Sequence, residues 1–275
     1  MKKIIFLLLV SFFSISSFAV LAPPGAVSMA TGGSGRGATE PVDSVLLNPS
    51  LLALLPTKFF SASYTSQQWG LTISDNGKDA LFPAALAFVR SDVNDFKTQQ
   101  LALALSYAYK KMISVGVNVS MLEYERSQKL REQKYRQTAA DIGVMYSPSP
   151  EFGIGFVANK ISSSKVDLDE SLQKQKTIGA GAQYTFANAI RFRYDMESAP
   201  DNKTDRLVYM GGIETFLNDW MIFRVGYQNN NVVAKNYSSL GLGFSGPQFG
   251  LHYAYISNVA DGSDDKHSID LGIPF

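Results

Sequence analysis

The sequence predicts an all-β protein: a transmembrane, antiparallel, up-and-down β-barrel of about 14 strands, with 12 as the alternative count, its lumen plugged by an N-terminal segment. Three observations predict it. From Lys58 onward apolar and polar residues alternate with period two, in segments split by turn residues. Aromatic residues reach 12%, yet the mean hydropathy is −0.02, too polar for a bundle of membrane helices and suited to strands whose two faces differ. The chain also opens like an exported protein, with basic Lys2-Lys3, an apolar run from Ile4 to Phe13 and small residues at Ser17-Phe18-Ala19.

That opening defines a signal peptide over residues 1–19, with Ala22 as an alternative cleavage point. No cysteine follows it, so a lipoprotein anchor is excluded. Residues 20–56 are assigned to a hatch, or plug, and 57–275 to the barrel. Lys58–Thr65 and Trp69–Ile73 are read as the first hairpin, and Ala80–Arg90 as the third strand. Asn76-Gly77 is read as a type I′ turn between the second and third strands, because both residues tolerate positive φ. Leu101 to Tyr109, Ile113 to Val119, Ile178 to Phe186, Ile190 to Met196, Met221 to Tyr227, Leu240 to Phe244 and Phe249 to Tyr255 continue the alternation. Ile269, Leu271, Ile273 and Phe275 close it. Leu122–Gln137 and Ser164–Lys176 are rich in helix-forming residues, so helical loop tips and projecting strands both remain open there. The parity places Leu103, Val117, Phe192 and Phe223 outward and Arg193, Glu214 and Arg224 inward. Large apolar residues on one face, against Gly, Ala, Ser, Thr and Asn on the other, favour lipid as the outer layer over a second sheet.

Several functions are disfavoured. Lys plus Arg (25) nearly equals Asp plus Glu (24), so no global field attracts nucleic acid. With no cysteine, thiolate metal sites and cysteine nucleophiles are unavailable. His252 and His267 are the only histidines, without metal-ligand spacing, and no Gly-x-Ser-x-Gly elbow occurs. No catalytic residue, metal or cofactor is expected, and the chain is read as a non-enzyme.

Charged residues of inward parity are the better candidates. Arg191, Arg193, Asp195 and Glu197 alternate along one strand, and Arg206, Glu214, Arg224, Asp141 and Asp270 join them. They read first as an ion-pair network in a wet lumen and second as a surface that selects what passes. Arg126, Lys129, Arg131, Lys134 and Arg136 crowd one loop, which reads as a solvated tip or as a contact for lipopolysaccharide phosphates.

The segment Met29–Pro56 ends in Asn48-Pro49-Ser50 and Leu51-Leu52 just before the first strand. After Gly35-Arg36-Gly37-Ala38, this resembles the N-terminal hatch of the FadL/PorV-like outer-membrane superfamily, where an Asn-Pro-Ala motif stands at that place. The resemblance covers about 30 residues by motif and the barrel by pattern. The strand ending at Phe275 likewise resembles the signal that such barrels present to their insertion machinery. The resemblance implies the outer membrane of a Gram-negative envelope, with lipid and lipopolysaccharide as surroundings. For the FadL branch it implies 14 strands, passage of hydrophobic molecules and a break in the third strand that opens sideways. Phe82-Pro83 is the expected site of that break, since proline removes a ladder hydrogen bond. The chain departs from the fatty-acid transporters in lacking their large substrate-capturing extensions. Two functions therefore stand: a FadL-like channel for a small hydrophobic compound, and a PorV-like scaffold or secretion-system partner.

Overall fold

The computed structural model describes residues 25–93, 96–110, 112–128, 131–169, 172–200, 207–262 and 264–275. The expected leader, residues 20–24, Lys129 and Arg206 lie outside these, as does the side chain of Arg131. Fourteen strands form one closed barrel: β1 (Phe59–Thr65), β2 (Gln68–Asp75), β3 (Ala84–Val93), β4 (Phe96–Tyr109), β5 (Ile113–Gln128), β6 (Arg131–Ser149), β7 (Phe152–Ser163), β8 (Thr177–Phe186), β9 (Ile190–Ser198), β10 (Leu207–Phe216), β11 (Met221–Asn230), β12 (Lys235–Ser245), β13 (Gly250–Asn258) and β14 (Lys266–Pro274). Each strand pairs antiparallel with its sequence neighbours. Closure comes from β1 against β14, from Phe59↔Pro274 to Thr65↔Ser268, and it leaves no open sheet edge.

The alternation sorts the side chains as the sequence predicts. Leu103, Val117, Phe192 and Phe223 are 39–52% exposed on the outside, while Arg193, Glu214 and Arg224 are at most 3% exposed inside. A one-residue slip would reverse every one of these. The outward face of β5 stays apolar from Ile113 to Met121 and then turns acidic at Glu123 and Glu125, opposite Arg136 and Lys134 of β6. Leu122–Gln128 and Arg131–Gln137 are therefore strand that runs beyond the apolar band, because cross-strand pairing satisfies these charges. After β7 the described residues 164–169 and 172–176 are irregular and fold inward, where Leu168 packs beside Leu122 and Tyr124 and Lys174 reaches Asp141 of β6.

Two expectations about the third strand need correction. Asn76-Gly77 is not a tight type I′ turn. Only Gly77 has positive φ (75°), the connection runs from residue 76 to 83, and the Asn76 side chain donates instead to the carbonyl of Leu55 at the end of the plug (3.3 Å). Phe82-Pro83 is also not in mid-strand. It precedes Ala84, the first residue of β3, because a residue without N–H cannot enter the ladder there. β3 pairs without interruption with both β2 and β4. The register does break between β6 and β7, where Ala140↔Ser162 is followed by Ile142↔Ala158. Lys160 sits in that bulge with φ 53° and donates its N–H to Asp141 (2.8 Å).

Residues 25–56 fill the lumen. A single helical turn, α1 (Ala26–Ala30), lies against β11 to β14, and a 3-10 helix over Pro49–Leu54 lies against β4 to β6. Val45, Leu52 and Leu55 pack onto Ala85, Ala87, Ala102 and Ala104 of β3 and β4, large plug residues meeting small wall residues. On the opposite wall the plug backbone touches bare strand. A Cβ on Gly212 would lie 2.4 Å from Thr31 Cβ, and Gly32 (φ 72°) presses on the Tyr227 backbone. Gly212→Val should consequently destabilise the plugged barrel by about 1–3 kcal/mol through overpacking. Gly211→Val should be close to neutral, because its Cβ faces outward with nothing nearer than 3.7 Å. Thermal unfolding of the two variants in detergent checks the contrast.

Candidate functional site: the plugged lumen

The plug is held by two sets of charges that meet wall residues far away in sequence. In the first, Asp195 of β9 accepts the backbone N–H groups of Gly35 (3.0 Å) and Arg36 (2.9 Å), and its carboxylate pairs with the Arg36 guanidinium (3.2 Å). Arg36 also pairs with Glu197, which Thr177 supports by a hydrogen bond of 3.2 Å. Arg36 is buried, and although burial alone works against its charge, Glu197 and Asp195 reverse that and raise its pKa. It remains a cation inside the barrel.

In the second, Glu214 of β10 lies between Arg193 of β9 (2.6 Å) and Arg224 of β11 (2.8 Å). This follows from the register, which places Glu214 opposite both Arg191 and Arg224. Arg193 extends the set to Glu40 of the plug at 2.5 Å, and Arg191 lies 3.5 Å from both Glu40 and Glu214. Arg224 in turn approaches His252 Nδ1 at 3.3 Å. Buried charges of this kind are tolerated only when paired and hydrogen-bonded.

Asn48-Pro49-Ser50 turns the plug between these contacts. Asn48 Oδ1 accepts from Ser50 N (3.2 Å) and Ser50 Oγ (2.7 Å), capping the 3-10 helix that Pro49 opens. Its Nδ2 donates to the carbonyl of Arg36 (2.8 Å), tying the two halves of the plug together. The helix then presents the Ser50 carbonyl to the hydroxyls of Ser106 and Ser114 on the wall. A small residue suffices at position 50, and serine adds a hydroxyl donor.

Inward parity alone marked Arg191, Arg193, Asp195, Glu197, Glu214 and Arg224, and the structure brings all six into these two sets. Asp141 stands apart, held by Lys174 (2.6 Å) and Asn118 (2.9 Å) nearer the other end of the lumen. Sequence reasoning missed Arg36, Glu40 and Asp43 of the plug, since an irregular segment has no parity to show which side chains meet the wall. Of the basic loop residues, Arg136 pairs with Glu123 (3.1 Å) and Lys134 with Glu125 (3.7 Å). His267 is on the outside, with Nδ1 2.7 Å from the Tyr253 hydroxyl.

Cavities lie on both sides of the barrel wall near the plug. One, of about 430 Å³, opens on the outer face over β9 to β11 and is lined by Tyr194, Tyr209, Gly211, Ile213, Val225 and Tyr227, among others. Gly212 and Gly226, also in its lining, meet Thr31 and Gly32 of the plug on the inner side. The other cavity, of about 230 Å³, lies between the plug and the rim where β14 ends, with Glu40, Asp43, His252, Leu55, Phe59 and Gly272 in its walls.

The charge sets make a ranked prediction. Glu214→Gln leaves two buried guanidinium groups short of a partner and should cost about 3–5 kcal/mol. Glu40→Gln affects a half-buried position and should cost less, while exposing the plug to limited proteolysis. Melting temperature and protease digestion of the two variants test the order.

The sequence matches no family model and no curated protein. Solved structures do match the fold. The toluene transporter TodX of P. putida superposes with a TM-score of 0.69 at 10% identity, over 93% of this chain and 99% of that one. The Ralstonia pickettii toluene transporter TbuX gives 0.68 at 11%, over 93% and 99%. A Pseudomonas aeruginosa FadL homologue gives 0.64 at 10%, over 92% and 98%. The strand count, the closed antiparallel topology and the plug agree with this likeness, and the chain has the fold of the FadL-like outer-membrane barrels.

Proposed function

We propose that this protein passes a small hydrophobic compound across the bacterial outer membrane. The carrying observation is the place where the wall thins to backbone. At Gly211, Gly212 and Gly226 an apolar cavity on the outer face is separated from plug residues Thr31 and Gly32 by one layer of strand. A compound dissolved among acyl chains would collect there, a short displacement of the plug away from the lumen. Such a wall position fits sideways passage better than Phe82-Pro83, which lies on the rim. The solved structures of this fold described as toluene transporters and as a monoaromatic hydrocarbon channel support the same substrate class.

The outer membrane is the compartment that suits the apolar outer band. There the β14 rim would face the periplasm, and Arg126, Lys134 and Arg136 would stand at lipopolysaccharide level. The second reading, a PorV-like scaffold or secretion-system partner, is favoured by one observation: guanidinium–carboxylate pairs tie the plug to β9 through both Arg36 and Glu40.

Uptake of radiolabelled toluene into cells, or into liposomes holding the purified barrel, separates the readings. Wild type should accelerate toluene entry over empty liposomes. Gly211→Trp, which fills the outer cavity without touching the plug, should reduce that entry several-fold. No acceleration by wild type would move the assignment to the scaffold.

A further inference from the structure

The cavity at the β14 rim has a chemistry that the plug lock does not use. Its walls are largely apolar (Val27, Val42, Leu55, Phe59), and its polar side chains are Thr39, Glu40, Asp43, Ser245 and His252. Glu40 is committed to Arg193 and Arg191. Asp43 is not committed in this way. It is 2% exposed, one carboxylate oxygen accepts the Gly25 N–H (2.5 Å), and the other, Oδ2, has no hydrogen-bond partner. Asp270 of β14 stands on the far side of the same peptide, accepting the Ala26 N–H, and its Oδ1 is likewise without a partner. A Cβ on Gly25 would lie 2.6 Å from Asp270 Oδ2 and 3.0 Å from Asp43 Oδ1, so the two carboxylates flank one residue. The guanidinium groups of Arg191, Arg193 and Arg224 pair with Glu40 and Glu214, and neither Asp43 nor Asp270 is within ion-pair distance of a cation among the described residues. Buried carboxylate oxygens without donors are costly, and a cation beside them relieves that cost.

We propose that this cavity binds a small organic ammonium with an apolar body, its charge on Asp43 and its body against Val27, Val42, Leu55 and Phe59. Size agrees, since an apolar cavity of roughly 150 Å³ holds a benzene ring and this one measures about 230 Å³. Set on the periplasmic side of the proposed route, the site makes the barrel prefer hydrophobic amines and neutral compounds to carboxylates, which Asp43 and Glu40 repel. This preference rests on the transport reading, whereas the binding site does not.

The groups facing Asp43 set its pH behaviour: Glu40, Ser28 and Gly25 of the plug, Arg193 of β9, Asp270 of β14, and His252 of β13 across the cavity. Burial pushes Asp43 up to about 6, with the Glu40 charge adding to the rise and the Gly25 N–H opposing it. The carboxylate that takes the ammonium is therefore present at pH 7.5 and is lost as pH falls through about 6.

The test is calorimetric titration of the purified barrel with benzylamine, toluene and benzoate, alongside liposome flux of the same three compounds. Benzylamine should bind wild type about tenfold or more tightly than toluene, as a charge-assisted hydrogen bond allows, and benzoate should not bind. Asp43→Asn should remove the amine preference. Gly272→Leu, whose side chain enters the cavity at a position with no atom within 4 Å of its Cβ, should block benzylamine even if Asp43→Asn fails to fold. Wild-type benzylamine affinity should fall at pH 5. Equal affinity for benzylamine and toluene, or unchanged benzylamine binding by Gly272→Leu, overturns the proposal. Toluene flux without amine binding would sink only this site, whereas amine binding without any flux would sink only the transport reading.

Discussion

Everything inside this barrel depends on the pairing of buried guanidinium and carboxylate groups. Arg193, Glu214 and Arg224 are almost fully enclosed, and none could stay charged there alone. Glu214 bridges three neighbouring strands, and through Arg193 the bridge continues to Glu40 of the plug. A second bridge through Arg36 fixes the plug to Asp195 and Glu197 of the same strand. Because β9 anchors both bridges, plug position and wall register specify each other. Removing the plug would leave Arg36 without its wall carboxylates and Asp195 without its guanidinium, so the filled lumen is the state these charges require.

Steric complementarity does the rest, in two styles on opposite sides of the lumen. On β3 and β4 alanines receive large apolar residues of the plug, which is ordinary core packing. On β10 and β11 glycines let plug backbone lie directly on strand backbone. The first side buries apolar area and resists displacement. The second brings the plug within one layer of strand of an apolar cavity on the outside, so the wall is thinnest where it meets lipid-facing tyrosines.

Two carboxylates without a cation beside them, Asp43 and Asp270, sit at the rim of β14. Each of the other lumen sets is organised around a named cation, Arg36 with Asp195 and Glu197, Lys174 with Asp141. Asp43 and Asp270 are held instead by donors of the plug, the N–H groups of Gly25 and Ala26 among them. That asymmetry separates a lock, in which each carboxylate faces a guanidinium, from a site whose carboxylates face none.

The barrel was legible in the sequence because strand geometry has a period of two. A lipid-facing exterior and a crowded interior demand opposite chemistry at successive residues, so alternation alone assigned Phe192 outward and Arg193 inward and counted the strands. The same rule marked eight of the charges in the lumen, Asp141 and Asp270 among them. It could not say what they meet. Arg36 and Asp195 are 159 positions apart, and Ala26 and Asp270 are 244 apart. Such pairs are fixed only when the sheet closes and the plug enters. The plug has no period, so Arg36, Glu40 and Asp43 carried no mark, and local signals misplaced Asn76-Gly77 and Pro83, whose roles are set by the end of the plug and by where β3 can begin its ladder. The sequence determined the barrel and the direction of its side chains, since those follow from local repetition against two solvents. Only the tertiary structure decided how the plug is locked and which carboxylates remain unmatched, since those follow from distances between residues that the chain itself keeps far apart.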